Sequence, residues 1–186
     1  MTDAADTLER ALGALAADLN TTQNHAERAS SEAEDGTATL ADVRNALEEV
    51  KTEAAVTPMD DYQQGTVCYQ VGGVDYAKGS VTYHTDEARN QGSLGADKAP
   101  TVTADIAAVR AAAAELEAAV AADPAGPAPR TSPAAARGTA DDAKSQLASA
   151  NARAAKAVKE AAAADKTAAS LLAQAQSIAR SVGASC

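Results

Sequence analysis

Apolar residues recur at alternating spacings of four and three along the first 55 residues of the chain. This heptad pattern is typical of a helix that packs along one face against other helices. The register continues through the Thr-, Asn- and Ser-rich stretch that ends at Gly36, so the pattern favours one helix over residues 1–55; the alternative is a helical hairpin that breaks near Asn20 to Asn24 or at Gly36. We call this row of apolar positions along one face of a helix a seam. Its larger side chains in the first segment are Leu8, Leu12, Leu15, Leu19, Leu40, Val43, Leu47 and Val50.

The C-terminal segment repeats the pattern, and it predicts a long helix over residues 139–183. Thr139 is the expected N-cap and Gly183 the expected stop. A shorter helix is predicted over residues 101–123, followed by a Pro-rich linker over residues 124–138. The C-terminal seam is mostly alanine, and its larger members are Leu147, Leu171, Ile178 and Val182.

Residues 56–100 have a different composition, and they predict a small head between the helices. Alternating residues on both sides of Gly72-Gly73 favour a β-hairpin with a two-residue turn, followed by a short strand at residues 80–84 and a polar loop at residues 85–100. In that register Val71 pairs with Val74 and Tyr69 with Tyr76. The expected head residues are Val67, Tyr69, Val71, Val74 and Tyr76.

The expected fold is therefore mainly α: a long antiparallel Ala-rich coiled coil or helical bundle, elongated, with a small β-hairpin head. A path that runs up, down and up again returns the C-terminus to the head. This path predicts that Cys68 and Cys186 are neighbours and form a disulfide in an oxidising compartment. Alanine seams bring helices close together but bury little area, so they need length or association with other chains.

Charge and composition narrow the classes of partner. The net charge of -10 leaves no basic surface for nucleic acid, and no segment is long and apolar enough to span a membrane. Residues 1–55 hold 12 acidic and 4 basic side chains, whereas residues 143–182 hold 2 acidic and 6 basic ones. The opposite charges predict that the first and last helices lie against each other. The acidic start of the chain lacks a Sec-type signal, which predicts a cytoplasmic location or export without such a signal.

The residues that carry chemistry form no recurring catalytic or metal-binding pattern. His25 and His84 are the only histidines, and neither lies at a metal-ligand spacing from cysteine or carboxylate. We therefore expect a solvated helix residue at His25 and an exposed turn at His84. The prediction is a non-enzymatic structural or protein-interaction module without cofactor or metal, which self-associates or binds a protein partner through its Ala and Leu seams.

A second hypothesis comes from the segment Tyr83 to Glu87. It resembles the Tyr-x-x-x-acid pattern that follows helical hairpins in substrates of actinobacterial type VII secretion. The chain has no Trp, so the Trp-x-Gly turn of such substrates is missing, and no family is assigned. The resemblance implies a secreted helical substrate or a toxin-associated adaptor whose β head binds a partner.

Overall fold

The computed structural model describes residues 2–186, which form three helices: α1 (Thr2–Ala54), α2 (Asp61–Ala122) and α3 (Pro133–Ser181). No strand occurs within these described residues. The predicted helical bundle is confirmed, and the predicted β-hairpin head is wrong. Gly36 lies inside α1, which runs past it without a break.

The segment predicted as hairpin, third strand, polar loop and short helix is one continuous helix, α2. Its apolar residues alternate over a few positions, but they also repeat every seven residues at Val67, Val74 and Val81, and all three side chains are fully buried. A helix buries them along one face, whereas a two-stranded hairpin would be marginal in water. Pro100 also lies inside α2, where it is exposed, so water can satisfy the carbonyl group that loses its helical partner.

The helix ends are set by side-chain caps. The Asp60 carboxylate accepts the backbone N–H of Gln63 at 2.9 Å before α2, and the Ser132 hydroxyl accepts that of Ala135 at 3.1 Å before α3. Ser132 followed by proline starts α3 ahead of the predicted Thr139 cap, so the linker is shorter than predicted. Gly183 has φ 83° and follows the end of α3, as predicted.

The chain divides into two compact units. Unit 1 combines the residues up to Glu27 with Gln91–Ala154, and unit 2 combines Arg28–Asn90 with Ala155–Cys186. In each unit, aliphatic side chains of α1 and α2 pack against alanines of α3. The unit 1 core includes Leu8, Leu15, Val102, Val109, Leu116, Ala136 and Ala140, and the unit 2 core includes Leu40, Val43, Val50, Val67, Val74, Val81, Ala164 and Ala168.

The seam residues identified in the sequence belong to these two cores. Leu8, Leu15, Leu19 and Leu147 are buried in unit 1, where Leu12 is partly buried against them. Leu40, Val43, Leu47 and Val50 are buried in unit 2, and Leu171, Ile178 and Val182 pack partly buried on that core. These side chains are therefore occupied by contacts within the chain, so a face that binds a partner has to lie on the exposed surface.

Candidate functional site

Helix α2 carries all four tyrosines of the chain at a spacing of seven residues: Tyr62, Tyr69, Tyr76 and Tyr83. Residues seven apart lie on the same face of a helix. Their exposed fractions are 82%, 78%, 83% and 62%, and all four belong to unit 2. At 1.5 Å per residue the row is about 32 Å long. The chain has no other aromatic residue apart from its histidines.

A seven-residue repeat directs these tyrosines outward. The order Tyr, two variable residues, Gly, a small residue and Val occurs three times, beginning at Tyr62, Tyr69 and Tyr76. Five residues on a helix correspond to a rotation of about 140°. Because the valines that follow by five residues are anchored in the core of unit 2, the tyrosines necessarily point away from it.

Glycines separate the tyrosines along this row. Gly65, Gly72 and Gly79 follow the first three tyrosines by three residues, so they lie between successive rings on the same face. A Cβ atom added to any of the three would meet no other side chain or helix within 4 Å. Internal packing therefore does not require glycine here, although each glycine weakens a helix by about 1 kcal/mol relative to alanine. We call the surface formed by Tyr62, Gly65, Tyr69, Gly72, Tyr76, Gly79 and Tyr83 the tyrosine face.

The tyrosine face is also depleted of charge. Asp75 and Lys78 are the only charged residues from residue 62 to residue 83, so the segment is formally neutral in a chain of net charge -10. Enrichment in tyrosine together with depletion of charge distinguishes the centre of protein–protein interfaces from the remaining protein surface. The composition of this face therefore has the character of an interface centre.

Two histidines join α1 to α2, one in each unit. In unit 2, His84 Nδ1 lies 2.8 Å from Glu32 Oε2, and a Cβ on Gly36 would lie 3.2 Å from His84 Cβ. The expectation of an exposed turn at His84 is therefore wrong, because the residue is half-buried within α2. The absence of a side chain at Gly36 lets the two helices approach at this point.

Unit 1 contains the same arrangement with different chemistry. His25 Nδ1 lies 2.8 Å from Gln91 Oε1, and a Cβ on Gly95 would lie 3.5 Å from His25 Cβ. His25 is half-buried rather than solvated. The pattern is a histidine, then Glu or Gln seven residues later, then Gly four residues after that, and it occurs once in α1 and once in α2. This repeat is present in the sequence, but the contacts that it makes between α1 and α2 were not predicted from it.

One group of side chains has the donors for a metal ion. Ligand atoms of Glu32, Asp35 and His84 lie within 4.8 Å of one another. Three protein ligands and a water are the usual set for a catalytic zinc ion. However, His84 and Glu32 already bond to each other, and Asp35 is exposed. The arrangement is explained as a polar contact between helices, and it is the one such cluster among residues 2–186.

Unit 1 contains a carboxyl group whose charged form is disfavoured by its surroundings. Burial raises the pKa of Asp105, and the neighbouring carboxylate of Asp18 raises it further, against a smaller opposite effect of Lys98. Asp105 Oδ2 is buried without a hydrogen-bond partner. Lys98 Nζ lies 3.4 Å from Asp18 Oδ1, so the lysine pairs with the other carboxylate. The charges of these groups alter the free energy of unfolding. No histidine or cysteine joins them in a metal-binding cluster within the described residues.

The predicted contact between α1 and α3 also occurs in unit 1, where Glu27 Oε1 lies 3.4 Å from Arg153 Nη1.

A cavity of about 290 Å³ lies beside the start of α1 and the Pro-rich connection, lined by Asp6, Glu9, Pro129 and Arg130 among others. Thr131 donates a hydrogen bond to Glu9 at 2.8 Å. The lining contains no His, Cys or Lys, and its one hydroxyl is that of Thr131, which is held by Glu9 at the exposed surface.

The disulfide Cys68–Cys186 is present in unit 2, with a Cα–Cα distance of 5.2 Å, so the predicted pairing is confirmed. Cys68 lies on α2 and not on a hairpin. The other residues predicted for the head separate into two groups: Val67, Val71 and Val74 are buried, whereas Tyr69 and Tyr76 are exposed. The segment Tyr83 to Glu87 lies inside α2 and does not follow a hairpin of helices.

None of the three helices contains an 18-residue window apolar enough to cross a membrane. The chain matches no protein-family model, and no curated protein or solved structure matches it significantly.

Proposed function

We propose that the chain is a non-enzymatic protein-interaction module that binds an α-helix of a partner protein on its tyrosine face. The observation that carries the proposal is the row of four tyrosines at 62–83% exposure, spaced by seven residues along α2. Monomeric proteins rarely expose large contiguous apolar patches, and such patches are typical of interaction sites. Tyrosine is also enriched among the residues that contribute most to binding.

A helical partner fits this face better than an extended peptide. The rings and the gaps between them repeat every seven residues, and this is the period at which two packed helices keep facing each other. An extended chain advances about 3.3 Å per residue with side chains alternating between two sides, so its spacing would not follow the row. The low charge of the face favours a partner helix with aromatic and small uncharged side chains.

The face has enough area for a specific complex. If a fully exposed tyrosine presents about 200 Å², the four tyrosines together present about 600 Å². A specific interface buries about 600–1,000 Å² on each partner. The backbone exposed at the glycines adds to this area, so the tyrosine face reaches the lower bound for a specific protein complex.

Photocrosslinking in the source cells tests the proposal. Benzoylphenylalanine placed at Tyr69 or Tyr76 should form adducts that map to one helical segment of a partner. The matched control is the same probe at Lys159, an exposed position of α3 in the same unit. Replacing the flanking Tyr62 and Tyr83 by serine should reduce the adducts from Tyr69 and Tyr76. Equal labelling from Lys159, or no defined adduct from the face, would contradict the proposal.

A further inference from the structure

We infer that the partner helix is α2 of a second copy of this chain, bound antiparallel, tyrosine face to tyrosine face. The inference rests on the proposed function and names its partner. A symmetric dimer brings the same surface of both copies together, so that surface has to be complementary to itself. The tyrosine face meets this condition because it contains both the protruding rings and the gaps that could receive them.

The spacing of rings and gaps defines a register. When the centre of the contact is level with Val74 along the helix axis, residue numbers that face each other add up to 148. Tyr69 then faces Gly79 of the second copy, Tyr76 faces Gly72, and Tyr83 faces Gly65. By symmetry each of these contacts occurs twice. The remaining Tyr62 faces Asp86, whose carboxylate pairs with Arg89 of its own helix at 3.1 Å and has a further lone pair to accept a hydrogen bond from the phenol.

This register explains glycines that nothing inside the chain requires. A bare backbone lets a neighbouring helix approach closely, and a tyrosine ring of the second copy can lie over it. An alanine methyl group at Gly72 would project into the space that the inferred register assigns to the ring of Tyr76. The three open positions of this row therefore match the three rings that must be received.

Charge favours this surface for association between identical chains. Two copies of net charge -10 repel each other, and the repulsion is least where the contact itself carries no net charge. The segment 62–83, which supplies all four rings and all three glycines, is formally neutral, and Asp86 at the edge of the contact is paired with Arg89. Residues 1–55, with 12 acidic and 4 basic side chains, would oppose self-association through α1. The exposed tyrosine area of about 600 Å² per copy reaches the lower bound for a standard interface.

Sedimentation of the disulfide-bonded chain of 186 residues tests the inference. Over about 1–200 µM protein at physiological salt, we expect a concentration-dependent shift from monomer to dimer, since weak specific complexes have micromolar dissociation constants. The monomer mass is 18.6 kDa. Replacing Tyr69 and Tyr76 together by serine should weaken association at least tenfold, as expected for central tyrosines of an interface. Leu94→Ser is the matched control, because Leu94 is a 40% exposed apolar residue of α2 outside the tyrosine face.

A glycine pair tests the register itself. Gly72→Ala should weaken the dimer at least fivefold, whereas Gly13→Ala, at an open glycine of α1, should leave association unchanged. Circular dichroism and intact mass confirm that each variant is folded and oxidised. In the dimer, benzoylphenylalanine at Tyr76 should label the second copy near Gly72. A monomer at 200 µM, or a dimer insensitive to the tyrosine and glycine substitutions, would overturn the inference. If the chain stays monomeric but Tyr69 and Tyr76 still crosslink to a helix of another protein, the second copy is excluded and the proposed function stands.

Discussion

Replacing the glycines of the tyrosine face by alanine should stabilise the isolated chain while it weakens association. Gly65, Gly72 and Gly79 lie within α2, and none of them has positive φ. A methyl group at any of these positions meets no atom beyond its own helical surroundings within 4 Å. Each substitution therefore gains the difference in helix propensity without a steric cost, about 1 kcal/mol in the free energy of unfolding.

The expected size of the effect follows from the spacing. Successive glycines are seven residues, or about 10 Å, apart along the helix, so their effects should add. The triple alanine variant should thus gain about 3 kcal/mol in the free energy of unfolding. This gain amounts to about a hundredfold or more in the ratio of folded to unfolded chain, since each 1.4 kcal/mol is a factor of ten.

Urea unfolding followed by circular dichroism measures this gain, at protein concentrations where sedimentation shows a monomer. Gly36→Ala is the contrasting variant, because its Cβ would lie 3.2 Å from His84 Cβ and displace a neighbouring helix. It should gain clearly less than any single substitution on the tyrosine face. A triple variant with a lower unfolding midpoint would refute the reasoning, because the three glycines would then serve the folded chain itself and not an external partner.

Three further substitutions test contacts within the units. Cys186→Ser opens a loop closed across a sequence separation of 118 and should lower the free energy of unfolding by up to about 5 kcal/mol; an unchanged urea midpoint would contradict this. Thr85→Val removes a buried hydroxyl that donates to Ala161 O at 3.0 Å, so thermal unfolding should show a loss of about 1 kcal/mol that the exposed Thr103→Val does not share. Burial holds the pKa of Asp105 above its ordinary 3.8, so the folded state keeps the proton to higher pH than the unfolded state, and ionisation destabilises the fold as pH rises through that pKa. Asp105→Asn should therefore raise the free energy of unfolding at pH 7 and leave it unchanged at pH 3, and an equal effect at both pH values would show that the charge is not responsible.

The heptad seams determined α1 and most of α3 without reference to any other part of the molecule. Leu8, Leu15, Leu40 and Val50 recur in one register, and that register identifies the buried stripe wherever the helix finds its partners. The pairing of Cys68 with Cys186 was also predictable, because it depends on the ends of the elements meeting and not on the structure of each element.

The segment from Thr66 to Ala77 could not be assigned from its local pattern. Val71 and Val74 flank two glycines, as in a hairpin, but Val67, Val74 and Val81 also repeat every seven residues, as in a packed helix. Local propensity does not favour a helix with Gly72 and Gly73 at its centre. Burial of the valines against α1 and α3 outweighs that preference, and this burial exists only in the tertiary structure.

The folding of this segment as part of one helix also creates the candidate binding face. The spacing of the four tyrosines is present in the sequence, but in the predicted hairpin only Tyr69 and Tyr76 would have lain side by side, as a cross-strand pair. Only when α2 is a single helix do all four rings share one exposed side. The sequence by itself therefore determined the period of the tyrosines, whereas the packing of the valines on the opposite side of α2 decided that this period forms a surface.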